Sequence, residues 1–254
     1  MMKQFERLPQ EITAMGLVPR SSEQSFALDL LLDPKVELVT IIGLAGSGKS
    51  LCALAAGLHE VMETKQYKKL LLLKPIVAMD NSNQLGFLKG SMEEKLAPWM
   101  ASYTDNIEVL MSGDHKVEIP KTKGKKGAAV KSDSYDEKAA GKVPAYQELI
   151  AHGFIEIGSL EHMRGRSLPN IFVICDEIQS MTPKSIKSLI TRLGEGSKLV
   201  LLGDIFQIDN PYLSAENNAI VHVTDKFKST DISGHLTLKK SERSKLAALA
   251  AELL

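Results

Sequence analysis

The chain of 254 residues contains little cysteine, few aromatic residues and no net charge. Its two cysteines, Cys52 and Cys175, lie in apolar segments and lack both the spacing of a metal site and the density of a disulfide-stapled domain. This usage favours a reducing compartment. Lysine plus arginine and aspartate plus glutamate both number 31, so any surface for a polyanion must be a local patch.

The sequence also lacks segments that would place it in a membrane. No apolar run approaches the length of a membrane span, and residues 1–6 contain no signal-peptide core. None of the six histidines forms a metal-ligand pair, and no catalytic pattern of serine, histidine and aspartate stands out. We therefore expect a cytoplasmic protein without a membrane partner, folded as one large domain.

A glycine-rich turn between an apolar strand and an apolar helix is the first strong motif. After the predicted strand Val36–Ile42, the sequence Gly-Leu-Ala-Gly-Ser-Gly-Lys-Ser matches the P-loop pattern G-x-x-x-x-G-K-[ST]. In a P-loop, glycines let successive N–H groups surround a phosphate, Lys49 reaches the β- and γ-phosphates, and Ser50 offers its hydroxyl to Mg²⁺. The positive end of the following helix faces the same anion. The residues expected around the nucleotide are Gly43, Ala45, Gly46, Ser47, Gly48, Lys49, Ser50 and Leu51.

The residues ahead of the P-loop predict a lead-in segment and a capped helix. Residues 1–19 are mixed in character, and we expect them to be partly ordered at best. Ser21 and Gln24 have the spacing of a capping box, and Asp33 before proline ends the helix. Gln24 has two open roles, because its amide can complete the cap or can contact an adenine edge.

Paired carboxylates follow a second apolar strand. Residues 171–175 are all apolar and lead into Asp176 and Glu177, which predicts a buried parallel strand whose carboxyl end reaches a bound nucleotide. In such a Walker B motif, Asp176 holds Mg²⁺ through water and Glu177 polarises the attacking water. A further apolar strand, Lys198–Leu202, leads to Gln207, which either senses the γ-phosphate or is an ordinary loop amide.

Basic residues at several places are candidates for contacts with phosphate. Lys74 ends a short apolar strand, and Arg164 and Arg166 flank a glycine; each either grips a phosphate backbone or is a solvated surface charge. The stretch 116–131 holds six lysines, so we expect a mobile insertion over residues 112–142 that either stays solvated or becomes ordered on a polyanion.

Arg243 lies in the first turn of a predicted final helix. The helix dipole disfavours a cation at that position, and a contact with phosphate would offset this cost. Arg243 is therefore either an arginine finger or a surface arginine.

In their order along the chain, these motifs resemble those of the PhoH-like family. The likeness covers about residues 18–254, and it is closest to the ATPase half of proteins in which a PhoH domain follows a PIN ribonuclease domain. We take residues 20–254 as one domain, and because no PIN domain precedes them here, the sequence gives no basis for nuclease activity. The matching stretches are Gly43–Ser50, Leu85–Gly90, Met163–Leu168, Asp176–Gln179, Gly203–Gln207 and Ser241–Ser244.

This resemblance implies a fold, a cofactor and residue roles. The family resembles the first RecA-like domain of superfamily 1 helicases, a three-layer α/β/α sandwich with a mainly parallel sheet, and it is associated with ATP hydrolysis and RNA. The resemblance implies Mg²⁺ as cofactor and an adenine-binding motif containing Arg20 and Gln24. It also assigns Lys49 to the P-loop, Ser50 and Asp176 to Mg²⁺, and Glu177 to water activation. Gln207 would contact the γ-phosphate, and Arg243 would be the arginine finger.

The resulting expectation is an ATP-dependent RNA helicase or translocase that works as a ring of subunits on single-stranded RNA. About fifty residues follow the Gly203–Gln207 motif, too few for a second RecA-like domain. Arg243 would then act across a subunit boundary in a closed ring, expected to be a hexamer.

Two other classes of function stay open. A P-loop kinase is disfavoured because Glu177 and Gln207 suit water as the phosphoryl acceptor. The other alternative is a nucleotide-dependent RNA-binding module or switch with little turnover.

Overall fold

The computed structural model describes residues 12–75, 92–112, 143–160, 163 and 165–242. The strands are β1 (Leu38–Gly43), β2 (Leu70–Lys74), β3 (Ile155–Ser159), β4 (Phe172–Cys175), β5 (Lys198–Gly203) and β6 (Ser233–Leu238). The helices are α1 (Ser22–Leu32), α2 (Lys49–Leu58), α3 (Met92–Ser112), α4 (Ala145–Ala151), α5 (Pro183–Ile190) and α6 (Ala219–Phe227). A π-helical turn, His59–Glu63, continues α2, and a 3₁₀ turn, Ile178–Ser180, follows β4.

The six strands form one sheet in the order β3-β2-β4-β5-β1-β6, and every pair is parallel. Strand β5 lies between β1 and β4, so the strand before the P-loop and the strand before the acidic pair are not neighbours. One apolar core packs α1 to α4 against one face of the sheet, and a second packs α5 and α6 against the other. The predicted three-layer α/β/α sandwich with a mainly parallel sheet is confirmed.

The local signals in the sequence explain most of the element boundaries. The Ser21 hydroxyl accepts a hydrogen bond from the Gln24 N–H at 3.2 Å and caps α1. Thr182 caps α5 in the same way, with Pro183 at the first helical position. Helix α5 ends at Ile190, and Leu193 after it forms a β-bridge with Leu168.

Several predictions concern the ends and loops of the chain. Within the lead-in segment, Ala14 and Met15 are buried against the core. The stretch 81–90, the insertion beyond Ser112 and the predicted final helix lie outside the described residues. Among the residues that the structure describes, no helix is both long enough and apolar enough to cross a bilayer.

A buried lysine attaches α1 to the sheet. Lys198, the first residue of β5, is 1% exposed, and its ammonium donates to the carbonyls of Leu31 and Asp33, both at 2.7 Å, and of Leu30 at 3.4 Å. These carbonyls are at the negative end of α1, where a cation is favourable. The contact fixes the carboxyl end of the helix whose amino end lies beside the P-loop.

Lys198→Met should therefore lower the free energy of unfolding by about 1–3 kcal/mol, because buried carbonyls lose a charged donor that methionine cannot replace. Urea unfolding followed by circular dichroism measures the change. Lys228→Met is the matched control, since Lys228 forms an exposed ion pair with Asp225 at 2.6 Å and its loss should cost under about 0.5 kcal/mol. Equal effects of the two substitutions would contradict the anchoring role.

Candidate nucleotide site

The P-loop connects β1 to α2 and has the backbone that its glycines permit. Gly46 and Gly48 have φ angles of 79° and 91°, in the left-handed region that favours glycine. At Gly43 a Cβ atom would lie 2.8 Å from both the Leu238 carbonyl oxygen and the Ser47 hydroxyl, so only glycine fits there. Helix α2 begins at Lys49, and its first N–H groups face the loop.

The P-loop lysine folds back over its own loop. The Lys49 ammonium donates to the Gly43 carbonyl at 2.6 Å and to the Leu44 carbonyl at 3.0 Å, and the residue is 9% exposed. The buried hydroxyl of Ser47 has no hydrogen-bond partner among the described residues. Ala45 is exposed at the tip of the loop, and Leu51 is half-buried in the first turn of α2. Lys49 therefore supplies the loop with the cation that a phosphate site requires.

Gln24 joins α1 to the P-loop. Its amide nitrogen donates to the Ser47 carbonyl at 3.0 Å, and its amide oxygen accepts from the Arg20 backbone N–H at 2.8 Å. In a capping box, the Gln24 side chain would accept a hydrogen bond from the Ser21 N–H. Here it accepts one from the N–H of the preceding residue, Arg20, instead. The amide is buried and braces the loop, while the Arg20 residue is exposed. Contact of Gln24 and Arg20 with adenine stays a prediction.

Ser50 and Asp176 meet across the sheet edge. The Ser50 hydroxyl donates to Asp176 Oδ2 at 2.7 Å. Burial raises the pKa of Asp176 above its usual range, and the charge of Glu177 raises it further, while the Ser50 hydrogen bond and Lys49 act in the opposite direction. A hydroxyl and a carboxylate are oxygen ligands of the kind that Mg²⁺ prefers, usually together with substrate phosphates. The residues present therefore fit a Mg²⁺ site completed by a nucleotide.

Glu177 is held in a strained backbone conformation. Its φ angle is 59°, which is uncommon for a residue with a side chain, and its N–H donates to Asp176 Oδ1 at 2.9 Å. The Glu177 side chain is 40% exposed, and its Oε1 lies 3.9 Å from the Lys74 ammonium. The predicted water-activating carboxylate is therefore accessible at the carboxyl edge of the sheet.

Gln179 is a site residue whose role the sequence did not reveal. Its amide nitrogen donates to Glu177 Oε2 and to the Gln207 carbonyl, both at 2.7 Å, and its amide oxygen accepts from the Asp204 N–H at 3.2 Å. The residue is fully buried, and a Cβ at Gly203 would lie 2.9 Å from its amide oxygen. One amide thus connects the acidic pair to the loop after β5, where Gln207 is exposed.

The predicted phosphate contacts have mixed surroundings. Arg166 forms a two-point ion pair with Glu156, at 2.5 Å and 3.3 Å, and this pair lowers the pKa of Glu156; Lys69 contacts the same carboxylate. Arg164 and Arg243 lie outside the described residues. The residue before Arg243 donates its N–H to the Gly46 carbonyl at 2.9 Å, so the chain enters that region beside its own P-loop.

Comparison with known proteins gives the family. The model of a family described as "PhoH-like protein" matches residues 16–253. The chain belongs to the PhoH-like family. Protein PhoH2 of Bacillus subtilis (strain 168) is 43% identical over 239 residues, which cover 94% of this chain and 48% of that protein. Protein PhoH2 of Thermobispora bispora is 35% identical over 239 residues, with the same two coverages of 94% and 48%.

This PhoH-like chain spans about half the length of the curated relatives it matches. Solved helicase structures are more distant. The Pif1 helicase from Candida albicans is 17% identical, covers 88% of this chain and 40% of its own, and gives a TM-score of 0.36. The DUF1998 helicase MrfA bound to DNA is 15% identical, with coverages of 94% and 28% and a TM-score of 0.43. The assignment of the family depends on the family model and the curated relatives.

Gly48→Ala should weaken nucleotide binding by roughly tenfold or more, equivalent to about 1.4 kcal/mol. The new Cβ would lie 2.7 Å from the Gln24 amide nitrogen and would displace either that amide or the loop. Titration with a fluorescent ATP analogue measures the affinity.

Gly153→Ala is the matched control for this prediction, because Gly153 also has a left-handed φ, 76°, but an added Cβ meets nothing within 4 Å. Both substitutions impose a similar backbone strain, of about 1 kcal/mol. Unchanged nucleotide affinity in Gly48→Ala would show that the brace from Gln24 does not shape the loop.

Proposed function

We propose that this PhoH-like chain is an ATP hydrolase whose turnover is coupled to single-stranded RNA. The observation that carries the proposal is the meeting of the P-loop lysine, the Ser50–Asp176 pair and Glu177 at the carboxyl edge of one parallel sheet. These are the parts that phosphoryl transfer to water requires: a phosphate cradle, a place for Mg²⁺ and a carboxylate within reach of the γ-phosphate.

Each residue has a definite task in hydrolysis. Lys49 exchanges its two loop carbonyls for the β- and γ-phosphate oxygens, and the N–H groups of the loop and of α2 bind the remaining charge. Ser50 and Asp176 would hold Mg²⁺, which would neutralise part of the charge on the phosphates. Glu177 accepts a proton as the water oxygen bonds to the γ-phosphorus. The bond from that phosphorus to the β–γ bridging oxygen breaks, which gives ADP and inorganic phosphate.

On this proposal, the loop after β5 transmits contact with the γ-phosphate to the carboxylate of Glu177. Gln207 is exposed near the start of this loop, and its carbonyl accepts a hydrogen bond from the amide of Gln179, which also donates to Glu177. A contact between Gln207 and the γ-phosphate would move the loop, and the shared amide would transmit that movement to Glu177. Sensing and water activation are thereby linked through one side chain.

The support for RNA as partner is a lysine at this edge and an arginine on the outer strand of the sheet. Lys74 lies at the carboxyl end of β2, and Arg166 lies in the loop after β3 with its guanidinium paired to Glu156. The sequence also contains Arg164 and the lysines of residues 112–142, and a neutral chain needs such concentrations of positive charge to bind a phosphate backbone. On this proposal Arg166 exchanges its carboxylate for a phosphodiester when RNA binds.

A switch with little turnover is the second candidate. It is favoured by the contacts of Glu177, whose Oε2 is bonded to Gln179 and whose Oε1 faces Lys74. A carboxylate engaged on both sides is poorly placed to orient water. In that case the chain would bind ATP and RNA and would retain the intact nucleotide.

Phosphate release from ATP, with and without single-stranded RNA, tests the proposal. Wild-type protein should hydrolyse ATP, RNA should increase the rate, and Glu177→Gln should reduce it by about a hundredfold or more, the usual effect of removing a general base. Glu216→Gln, at an exposed loop carboxylate, is the control and should have wild-type rates. Retention of intact ATP by the wild type would support the switch, and phosphate transfer only to an added acceptor would support a kinase.

The proposed assembly is a hexameric ring in which Arg243 completes the site of the neighbouring subunit. In such a ring, Arg243→Ala and Glu177→Gln proteins are each inactive alone, but mixing them should restore activity at roughly a quarter of the sites, because each site takes its two groups from different subunits. The mixture is assayed after subunit exchange, with sedimentation to determine the oligomer. An inactive mixture of assembled protein would contradict the ring-finger role. It would favour a contact between Arg243 and the nucleotide bound by the same subunit, since the neighbouring Glu242 N–H donates to the Gly46 carbonyl of that P-loop.

A further inference from the structure

The side chain of Glu177 lies between two groups that belong to opposite sides of its strand. On one side of β4 is β2, whose last residue, Lys74, has its ammonium 3.9 Å from Glu177 Oε1. On the other side is β5, whose loop holds Gln179 through Asp204 and Gln207, and Gln179 donates to Glu177 Oε2 at 2.7 Å. The carboxylate is therefore attracted in two directions across the sheet.

These two directions differ in their relation to the nucleotide. The strand order places β1 and the P-loop beyond β5, on the side of β4 away from β2. Attraction by Lys74 draws the carboxylate toward β2 and away from the P-loop, and the bond with Gln179 draws it toward the loop after β5. The position of Lys74 thus opposes the position that water activation requires.

The backbone at Lys74 is fixed, so only its side chain is free to respond to a ligand. Leu73 pairs with Cys175 of β4 and Lys74 pairs with Ser159 of β3, which holds the end of β2 on both sides. The Asp176 N–H donates to the Leu73 carbonyl at 3.1 Å, and the buried Tyr103 hydroxyl contacts the same carbonyl at 3.5 Å. The Lys74 side chain is 23% exposed and reaches the surface at the carboxyl edge of the sheet.

We propose that Lys74 is a positioning residue that holds Glu177 away from the water until a backbone phosphate of single-stranded RNA takes its ammonium. The proposal deepens the proposed function and rests on it. A phosphodiester oxygen offers the ammonium a charge-assisted hydrogen bond that is shorter than the 3.9 Å separation from Glu177. Release of Lys74 leaves Gln179 as the partner of the carboxylate, which then turns toward the P-loop. RNA binding and ATP turnover are coupled through this exchange.

The test compares Lys74→Gln, which removes the charge, with Lys74→Arg, which retains it. In phosphate release without RNA, Lys74→Gln should raise kcat by roughly two- to fivefold, the range by which a partly exposed ion pair biases two positions. The KM for ATP should not change, and stimulation by single-stranded polyuridylate should fall by a similar factor. Lys74→Arg should retain the low basal rate and the stimulation. Lys35→Gln, at an exposed lysine before β1, is the control.

The outcomes separate this inference from the hydrolase proposal. A basal kcat in Lys74→Gln that equals or falls below wild type, with only more polyuridylate needed for half-stimulation, would overturn it and make Lys74 a phosphate contact alone. If polyuridylate stimulates no variant but Lys74→Gln still has the raised basal rate, the RNA coupling fails and the hold on Glu177 stands. Equal stimulation by polythymidylate would assign the exchange to any single-stranded nucleic acid. Absence of hydrolysis in both wild type and Lys74→Gln would refute both proposals.

Discussion

The arrangement of the site depends on the parallel register of three central strands. Strand β5 pairs with β1 on one side and β4 on the other, so that Ile42 lies opposite Gly203 and Cys175 lies opposite Leu201. Because all three strands end at the same edge, the P-loop, the acidic pair and the loop after β5 begin at nearly the same height. These hydrogen-bonded pairs therefore set the spacing of the segments that carry the candidate site residues before any side chain is considered.

Two buried glutamines convert this placement into defined contacts. Gln24 connects the amino end of α1 to the P-loop, and Gln179 connects the residue after β4 to the loop after β5. An amide suits both tasks, since it donates and accepts at once and carries no charge that burial would penalise. Each amide connects two segments of the chain that backbone hydrogen bonds do not join. The strain at Glu177 is tolerated for the same reason, because its partners fix the turn that presents the carboxylate.

The sequence predicted those features that depend on local pattern. The P-loop, the apolar strands, the cap at Ser21 and the acidic pair all follow from residue types at short spacing, and the parallel sheet follows from their alternation with helices. Contacts over long separations could not be predicted. The partner of Gln24 is 23 residues away, and the Gln207 carbonyl is 28 residues from Gln179. The carboxylate that pairs with Arg166 is only ten residues away, but the pair depends on how the loop after β3 folds back along that strand.

The buried carboxylate of Asp176 has a consequence for ligand choice. Its environment disfavours the charged form, and the nearby Glu177 adds to the penalty. A nucleotide that arrives with a divalent cation removes this penalty on binding, whereas a bare nucleotide adds further negative charge to the same place. The free energy that is recovered when the cation neutralises Asp176 adds to the affinity for the metal-bound nucleotide, and the bare nucleotide gains nothing from it. On the proposed function, the depth at which Asp176 is placed would therefore favour the chelated nucleotide over the metal-free one.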